Sequence, residues 1–329
     1  MTPLLNKLQL KVEAAWYKKS PWVFLLLPLS WLYCGIVTLR KQLYKLGIFK
    51  RTKFNIPVIA VGNIVVGGAG KTPFTIKLAN QLCDQGYRVG IVSRGYKAQA
   101  KTFPFDVSKT TDAKLCGDEA LLMQQRTACP VVIDPKRTRG IQHLIDKYKV
   151  QIVICDDGLQ HLALQADITI ALHPHDKVGE YAFCLPAGPL REKLSELSNY
   201  NFIVDTADLK QTINIITPDK QYLSPEDIGN KQLLAITAIA RPQRFAEALK
   251  EYNLRFASKY YPDHYYFKQD DFTDITDDII MTEKDWVKCQ HIKFNGKVYI
   301  AQLDVQASHT FQNDFAETLK RCLRQEAAS

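Results

Sequence analysis

Apolar and polar positions along the chain change period several times. Residues 21–39 (PWVFLLLPLSWLYCGIVTL) run nineteen positions without a charge, with basic residues on both sides. From Phe54 the pattern shortens. Ile56–Val61 is a compact apolar run of strand length, and Thr75–Leu82 carries helical spacing that ends near Gly86. Further strand-like runs fall at Arg88–Ser93, Val131–Asp134, Gln151–Cys155 and Ile168–Leu172, with helical stretches between them. Residues 206–230 turn polar, with no amphipathic pattern, and read as a linker. Beyond them, strands are expected at Leu233–Ile239, Asp278–Thr282 and Lys297–Ala301. Alternating short buried strands and helices predict parallel, doubly wound sheets. The layout expected is a basic apolar segment (1–53), a first α/β domain (54–205), a linker or hinge (206–230) and a smaller second α/β domain (231–329).

Composition and charge narrow the picture. With 329 residues, 46% hydrophobic and 15 each of Phe and Tyr, the chain has ample material for two cores, which excludes disorder. The first 53 residues hold ten Lys and Arg against one acid, Glu13, so the whole net charge of +9 sits there and the remainder balances 33 against 33. A body without excess positive charge speaks against a nucleic-acid partner. The eight cysteines are dispersed, with no CxxC pair, as in a reducing compartment.

Three readings fit residues 21–39: a helix lying in the membrane interface, a true span, or a buried helix or signal. Pro21, Pro28, Ser30 and Gly35, and positive charge at both ends, disfavour a span. The interface reading puts Trp16, Tyr17, Trp22, Trp31 and Tyr33 at headgroup level and the Lys and Arg residues on anionic lipid. A core helix accounts for the apolar run but not for the charge, so the membrane surface is preferred.

The strongest local motif follows the first strand. Gly67-Gly68-Ala69-Gly70-Lys71-Thr72 lies between a strand and a helix, the setting of a phosphate-binding loop. In such a loop backbone N–H groups turn onto phosphate oxygens, the lysine reaches the β/γ-phosphates and the Thr72 hydroxyl ligates Mg²⁺. Val65 stands where GxxxxGK[ST] has its first glycine, so the segment fits the tighter GGxGKT form. Asp156-Asp157-Gly158, at the end of the apolar run 151–155, is placed to hold the Mg²⁺ shell beside that loop. ATP and Mg²⁺ are therefore the expected cofactors.

Val61-Gly62-Asn63-Ile64 leading into GGAGKTP, with Ser93-Arg94-Gly95-Tyr96, resembles the tetraacyldisaccharide 4'-kinase family. Gly117-Asp118-Glu119, Asp156–His161, Gly188–Glu192, Ala240–Pro242, Pro262–Tyr265 and Met281–Asp285 continue the resemblance in family order over nearly the whole chain. It implies transfer of the ATP γ-phosphate to the 4'-hydroxyl of a tetraacylated glucosamine disaccharide-1-phosphate at the cytoplasmic face of the inner membrane. It further implies two α/β domains joined by a hinge, the first carrying the phosphate-binding loop. The second domain is expected to close over the nucleotide as the hinge moves, and no obligate protein partner is expected.

The family's base and its partner map onto His264 and Asp118. Its phosphate-side pair maps onto Arg191, on the nucleotide, and Glu192, on the metal. Plainer readings exist for each: a solvated histidine on the aromatic loop 260–266, a helix N-cap at Asp118, and a surface ion pair at Arg191-Glu192. Met281–Asp285 sits at a strand end without a derivable role. The rival function is a membrane-associated P-loop switch or partitioning ATPase. Those proteins often carry a lysine before the double glycine, where this chain has Val66.

Overall fold

The computed structural model describes residues 12, 15–17, 20–174, 178, 182–229 and 231–327. Lys7, Lys11, Lys18 and Lys19 of the basic segment, and Asn230 of the expected linker, lie outside the described residues. In chain order the strands are β1 (Val58–Asn63), β2 (Val89–Ser93), β3 (Phe105–Asp106), β4 (Val131–Ile133), β5 (Ile152–Asp156), β6 (Ile168–His173), β7 (Phe202–Asp205), β8 (Lys210–Ile216), β9 (Tyr222–Leu223), β10 (Gln232–Thr237), β11 (Arg255–Tyr260), β12 (Asp278–Thr282) and β13 (Val298–Gln306). The helices that matter below are α1 (Leu27–Lys45), α2 (Lys71–Asp84), α3 (Asp118–Arg126), α4 (Arg137–Tyr148), α5 (Pro242–Glu251), α6 (Glu283–Trp286) and α7 (His309–Ala327).

Two compact units emerge, each from separate stretches of chain: Met1–Lys71, Val150–Leu209 and Ala307–Ser329 in one, Thr72–Lys149 and Lys210–Gln306 in the other. In the first unit β1 lies between β5 and β6, and β7 pairs with β6, all parallel. Every residue of β1 and β5 is buried, which is why these strands read as unbroken apolar runs rather than as alternation. The register sets Val61 opposite Asp156, the last residue of β5, and Gly62 opposite Ala171 of β6, while β1 runs on to Asn63. Gly62 is required there: a Cβ at this position would stand 2.6 Å from Leu159 Cγ.

In the same unit α1 is anchored by polar side chains. Ser30 Oγ donates to the Cys184 carbonyl at 2.7 Å and Tyr33 Oη to the Arg191 carbonyl at 3.0 Å, while Lys41 reaches Glu196 at 2.7 Å. Its other face leaves Leu29, Trp31, Leu32, Ile36 and Leu39 exposed, as is Leu25 in the turn before it. Pro21–Lys45 is long and apolar enough to cross a membrane. Trp16 departs from its expected place at headgroup level: it is buried against Ala15 and Val23, and its indole N–H donates to the Pro186 carbonyl at 3.0 Å.

The second unit holds β2 parallel to β4, with β3 antiparallel on β4's other edge. It also holds a six-stranded sheet in the order β11-β10-β12-β13-β8-β9, parallel from β11 to β13 and antiparallel beyond. The polar stretch 206–230 contributes β8 and β9 to this sheet. β8 pairs with β13 over seven residues, from Ile216↔Ile300 to Lys210↔Gln306. Its first half, Lys210–Thr212, is exposed, and only its last two residues, Ile215 and Ile216, are buried, so alternation is too short to stand out in the sequence. The two sheet faces bury separate cores, one around Phe267, Phe272 and Met281, the other around Phe245, Leu249 and Ile280.

Helix α4 packs on β2 through Gly140, where a Cβ would stand 2.8 Å from Val92 Cγ2 and 3.1 Å from Asp134 Cβ. An alanine gains about 1 kcal/mol in helix propensity but overpacks a stiff β-branched neighbour, which costs about 1–3 kcal/mol. Gly140→Ala is therefore expected to lower the thermal midpoint. A rise in midpoint would show that the helix–sheet contact yields freely.

Candidate active site

The loop after β1 begins by tying itself down. Asn63, fully buried, donates from Nδ2 to the Val65 carbonyl at 2.6 Å, and Val66 N donates to the Pro189 carbonyl at 2.8 Å. Arg191 N donates to the Ile64 carbonyl at 2.7 Å. Val65, in the place of the missing first glycine, is buried with Ile64, Cys184 and Leu190 and so belongs to the core rather than to a cradle. Gly67 and Gly70 have φ of +99° and +73°, a conformation that favours glycine. A Cβ at Gly67, Gly68 or Gly70 would meet no atom within 4 Å. Backbone here faces open space at the head of α2, as a phosphate-binding loop requires.

Lys71, the first residue of α2, donates from Nζ to Asn63 Oδ1 at 3.0 Å and lies 3.3 Å from Asp157 Oδ1. Asp157 also accepts from Arg191 Nη1 at 3.0 and 3.2 Å, and its own backbone is left-handed with φ +50°. Burial pushes the Asp157 carboxyl up, but Lys71 and then Arg191 outweigh it and hold it below its ordinary range. Asp156 is buried at the end of β5.

Glu192 is 2% exposed and is not a surface partner of Arg191. It accepts from Lys41, from Gln160 Nε2 at 2.6 Å and from Tyr200 Oη at 3.0 Å. Gln160 Nε2 also donates to the Asn63 carbonyl at 3.0 Å, so one amide spans the loop and the acid. Among the described residues no three acids, histidines or cysteines form a ready-made metal cage. Mg²⁺ is commonly held by one or two carboxylates together with substrate phosphates and water.

A second cluster lies in the other unit. His264 Nδ1 and Asp118 Oδ2 are 2.8 Å apart although 146 residues separate them in sequence. The His264 side chain is 12% exposed, so it is not a solvated loop residue. Its backbone is left-handed (φ +60°), its N–H donates to the Ala238 carbonyl at 3.1 Å, and the Tyr96 ring stands edge-on at 5.4 Å. Asp118 is not the helix cap: Gly117 takes that position with φ +87°, and Asp118 is the first helical residue, its Oδ1 accepting from Glu119 N. Burial raises the Asp118 carboxyl, but the His264 hydrogen bond and the nearby Lys284 bring it down to about 2.

Thus Lys71, Arg191, Asp157 and Glu192 come together in one unit, and His264 and Asp118 in the other, while Thr72 opens the second unit as the next residue of α2. Asn63 and Gln160 stood inside the quoted motif strings without a role. Lys41 and Tyr200 belong to no motif, and only the fold brings them to Glu192.

A buried strand, a glycine loop and a lysine at the head of the next helix are the construction of a P-loop protein. The chain belongs to the tetraacyldisaccharide-1-P 4'-kinase family (LpxK), whose model matches residues 22–324. It is 38% identical over 312 residues to the tetraacyldisaccharide 4'-kinase of Legionella pneumophila (strain Corby), covering 92% of this chain and 96% of that one. To the enzyme of the same name from Coxiella burnetii (strain Dugway 5J108-111) it is 36% identical over 322 residues, covering 97% and 98%. Among solved structures it is similar to LpxK from Aquifex aeolicus in complex with ATP, with a TM-score of 0.80 and 29% identity over 92% of this chain and 99% of that one.

Asp118 gives a stability prediction. Its folded pKa of about 2 lies below the ordinary 3.8, so its ionised form stabilises the fold fully above about pH 4–5, and that gain is lost as pH falls towards 2. Asp118→Asn is expected to lower the unfolding free energy in urea by about 2 kcal/mol at pH 7 and by much less near pH 2. An equal deficit at both pH values would assign the loss to packing instead.

Proposed function

We propose that this protein transfers the γ-phosphate of ATP to the 4'-hydroxyl of a tetraacylated glucosamine disaccharide-1-phosphate, on the cytoplasmic face of the inner membrane. The observation that carries the reading is the His264–Asp118 pair. A switch ATPase has no alcohol to deprotonate, whereas a kinase with a sugar hydroxyl as acceptor needs a base.

Asp118, ionised, can only accept a hydrogen bond, so Nδ1 of His264 carries the proton and Nε2 presents its lone pair. Nε2 takes the proton of the 4'-hydroxyl as that oxygen bonds to the γ-phosphorus. The bond from the γ-phosphorus to the bridging oxygen breaks, and ADP leaves with the electron pair. Asp118 steadies the imidazolium meanwhile. Gly67, Gly68, Ala69 and Gly70 offer backbone N–H groups to the triphosphate, and Lys71 and Arg191 offset the charge that builds on it. Thr72, Asp156, Asp157 and Glu192 are the residues that would hold Mg²⁺, which when bound neutralises the phosphate oxygens.

In this reading residues 54–205 supply the loop and Asp118, residues 231–329 supply His264, and residues 206–230 connect them. Residues 1–53 associate with the membrane. An exposed apolar face on α1, beside Arg40, Lys45, Lys50, Arg51 and Lys53, suits an anionic surface that presents an acylated substrate. Ser30, Tyr33 and Lys41 commit the other face of α1 to protein, which favours a helix lying in the interface over one surrounded by lipid.

The test incubates purified protein with γ-labelled ATP, Mg²⁺ and acylated disaccharide-1-phosphate in detergent micelles. Label is expected on the lipid, with His264→Ala slower by about a hundredfold or more. Label released only as free phosphate, regardless of lipid or of the substitution, would favour the switch ATPase.

A further inference from the structure

Met281–Asp285 has no part in the mechanism above, yet Thr282, Lys284 and Asp285 lead to the surroundings of the His264–Asp118 pair and Glu283 to the far end of the helix that carries Asp118. Thr282 caps α6 by accepting from Asp285 N, and its hydroxyl donates to Asp285 Oδ2 at 2.7 Å. The same Oδ2 accepts from Thr237 Oγ1 at 2.7 Å and from Ala238 N at 3.1 Å. Ala238 is the residue whose carbonyl holds the His264 backbone in its left-handed turn. Asp285 Oδ1 is paired with Lys288 Nζ at 2.8 Å, both side chains fully buried, so this anchor is locked from behind.

The two residues between Thr282 and Asp285 grip the helix that carries Asp118. Lys284 Nζ lies 2.9 Å from Glu119 Oε1 and 4.0 Å from Asp118 Oδ2, at the first turn of α3. Glu283 meets Arg126, the last residue of α3, at 2.6 Å, and accepts from Gln302 at 2.8 Å. One short segment therefore fixes both ends of the helix bearing the carboxylate and the strand end from which the histidine hangs.

We propose that Thr282–Asp285 is the positioning element of the His264–Asp118 pair, and that Lys284 sets the charge balance under which His264 accepts and releases its proton. This rests on the reading of His264 as the base. The charged and titratable groups around the pair are Asp263, 3.7 Å from Nε2, Glu119, Lys284 and Lys288, with Tyr96, Tyr266 and the Cys116 thiol beside them. Burial opposes the Lys284 charge, but Glu119, Asp118 and Asp263 outweigh it and raise its pKa, so it stays a cation. That cation adds to the His264 hydrogen bond in holding Asp118 ionised and opposes a positive charge on the imidazole. Without it, Asp118, Glu119 and Asp263 act together to favour the protonated histidine.

The experiment records pH profiles of kcat/KM for lipid phosphorylation in wild type, Lys284→Met, Lys284→Arg, Glu119→Gln and His264→Ala, with thermal melts of each. Lys284→Met is expected to move the acid limb up by about half to one pH unit, a loss of about three- to tenfold on the acid side. Its alkaline plateau and its KM for ATP should stay near wild type. Lys284→Arg should restore the wild-type limb, and Glu119→Gln, which removes an acid and leaves the cation, should move it down. An unshifted limb in folded Lys284→Met, or an Arg variant displaced as far as the Met variant, would overturn the proposal. If Lys284→Met does not fold, an unshifted limb in Glu119→Gln does so. Full activity in His264→Ala, or no lipid phosphorylation by wild type, would instead defeat the functional reading itself.

Discussion

A charge withdrawn from water costs several kcal/mol unless an opposite charge or a set of hydrogen bonds meets it. This constraint shapes the functional parts of the molecule. Asp157 is buried against Lys71 and Arg191, Glu192 against Lys41, Gln160 and Tyr200, Asp118 against His264 and Lys284, and Asp285 against Lys288. Asp157 lies just beyond β5, Asp118 and Asp285 lie in the first turns of short helices, and Glu192 lies in the loop before β7. Remove a partner, and the acid must take up a proton or pull water into the site.

The same pairing holds the charged side chains beside the glycine loop in place. Lys71 rests between Asn63 and Asp157, so its ammonium is held at the mouth of the glycine loop rather than sweeping through solvent. Arg191 is held to Asp157 and has its backbone bonded to the loop at Ile64, so loop, guanidinium and carboxylate form one assembly. Through Tyr33 and Lys41, α1 is bonded to residues 191, 192 and 196 of that assembly. The helix with the exposed apolar face is therefore bonded to the residues beside the glycine loop, as the proposed acylated sugar-phosphate substrate requires.

How much of this is legible in the chain depends on sequence distance. The glycine loop, its strand and its helix are contiguous from 58 to 84, so local pattern suffices to read them. Gln160 and Glu192 are 32 residues apart, Lys41 and Glu192 are 151, and His264 and Asp118 are 146, so nothing local couples them. For His264 and Asp118 the family resemblance supplied the pairing; for Lys41 and Tyr200 there was no signal at all. Local rules also misplace single residues when tertiary structure intervenes. Asp118 reads as an N-cap, but Gly117 takes the cap because its φ of +87° suits glycine, freeing the carboxylate for His264. Trp16 reads as an interfacial aromatic, but a protein carbonyl satisfies its indole N–H. The polar stretch 206–230 hides β8 because half of that strand faces solvent.

The central claim is that His264 and Asp118 act as one proton-handling unit. A double-mutant cycle on the rate of lipid phosphorylation, comparing His264→Ala, Asp118→Ala and both together, tests it directly. The account predicts strong non-additivity: once His264 is gone, removing Asp118 costs little more. Additive losses, with each substitution costing the same in either background, would contradict it.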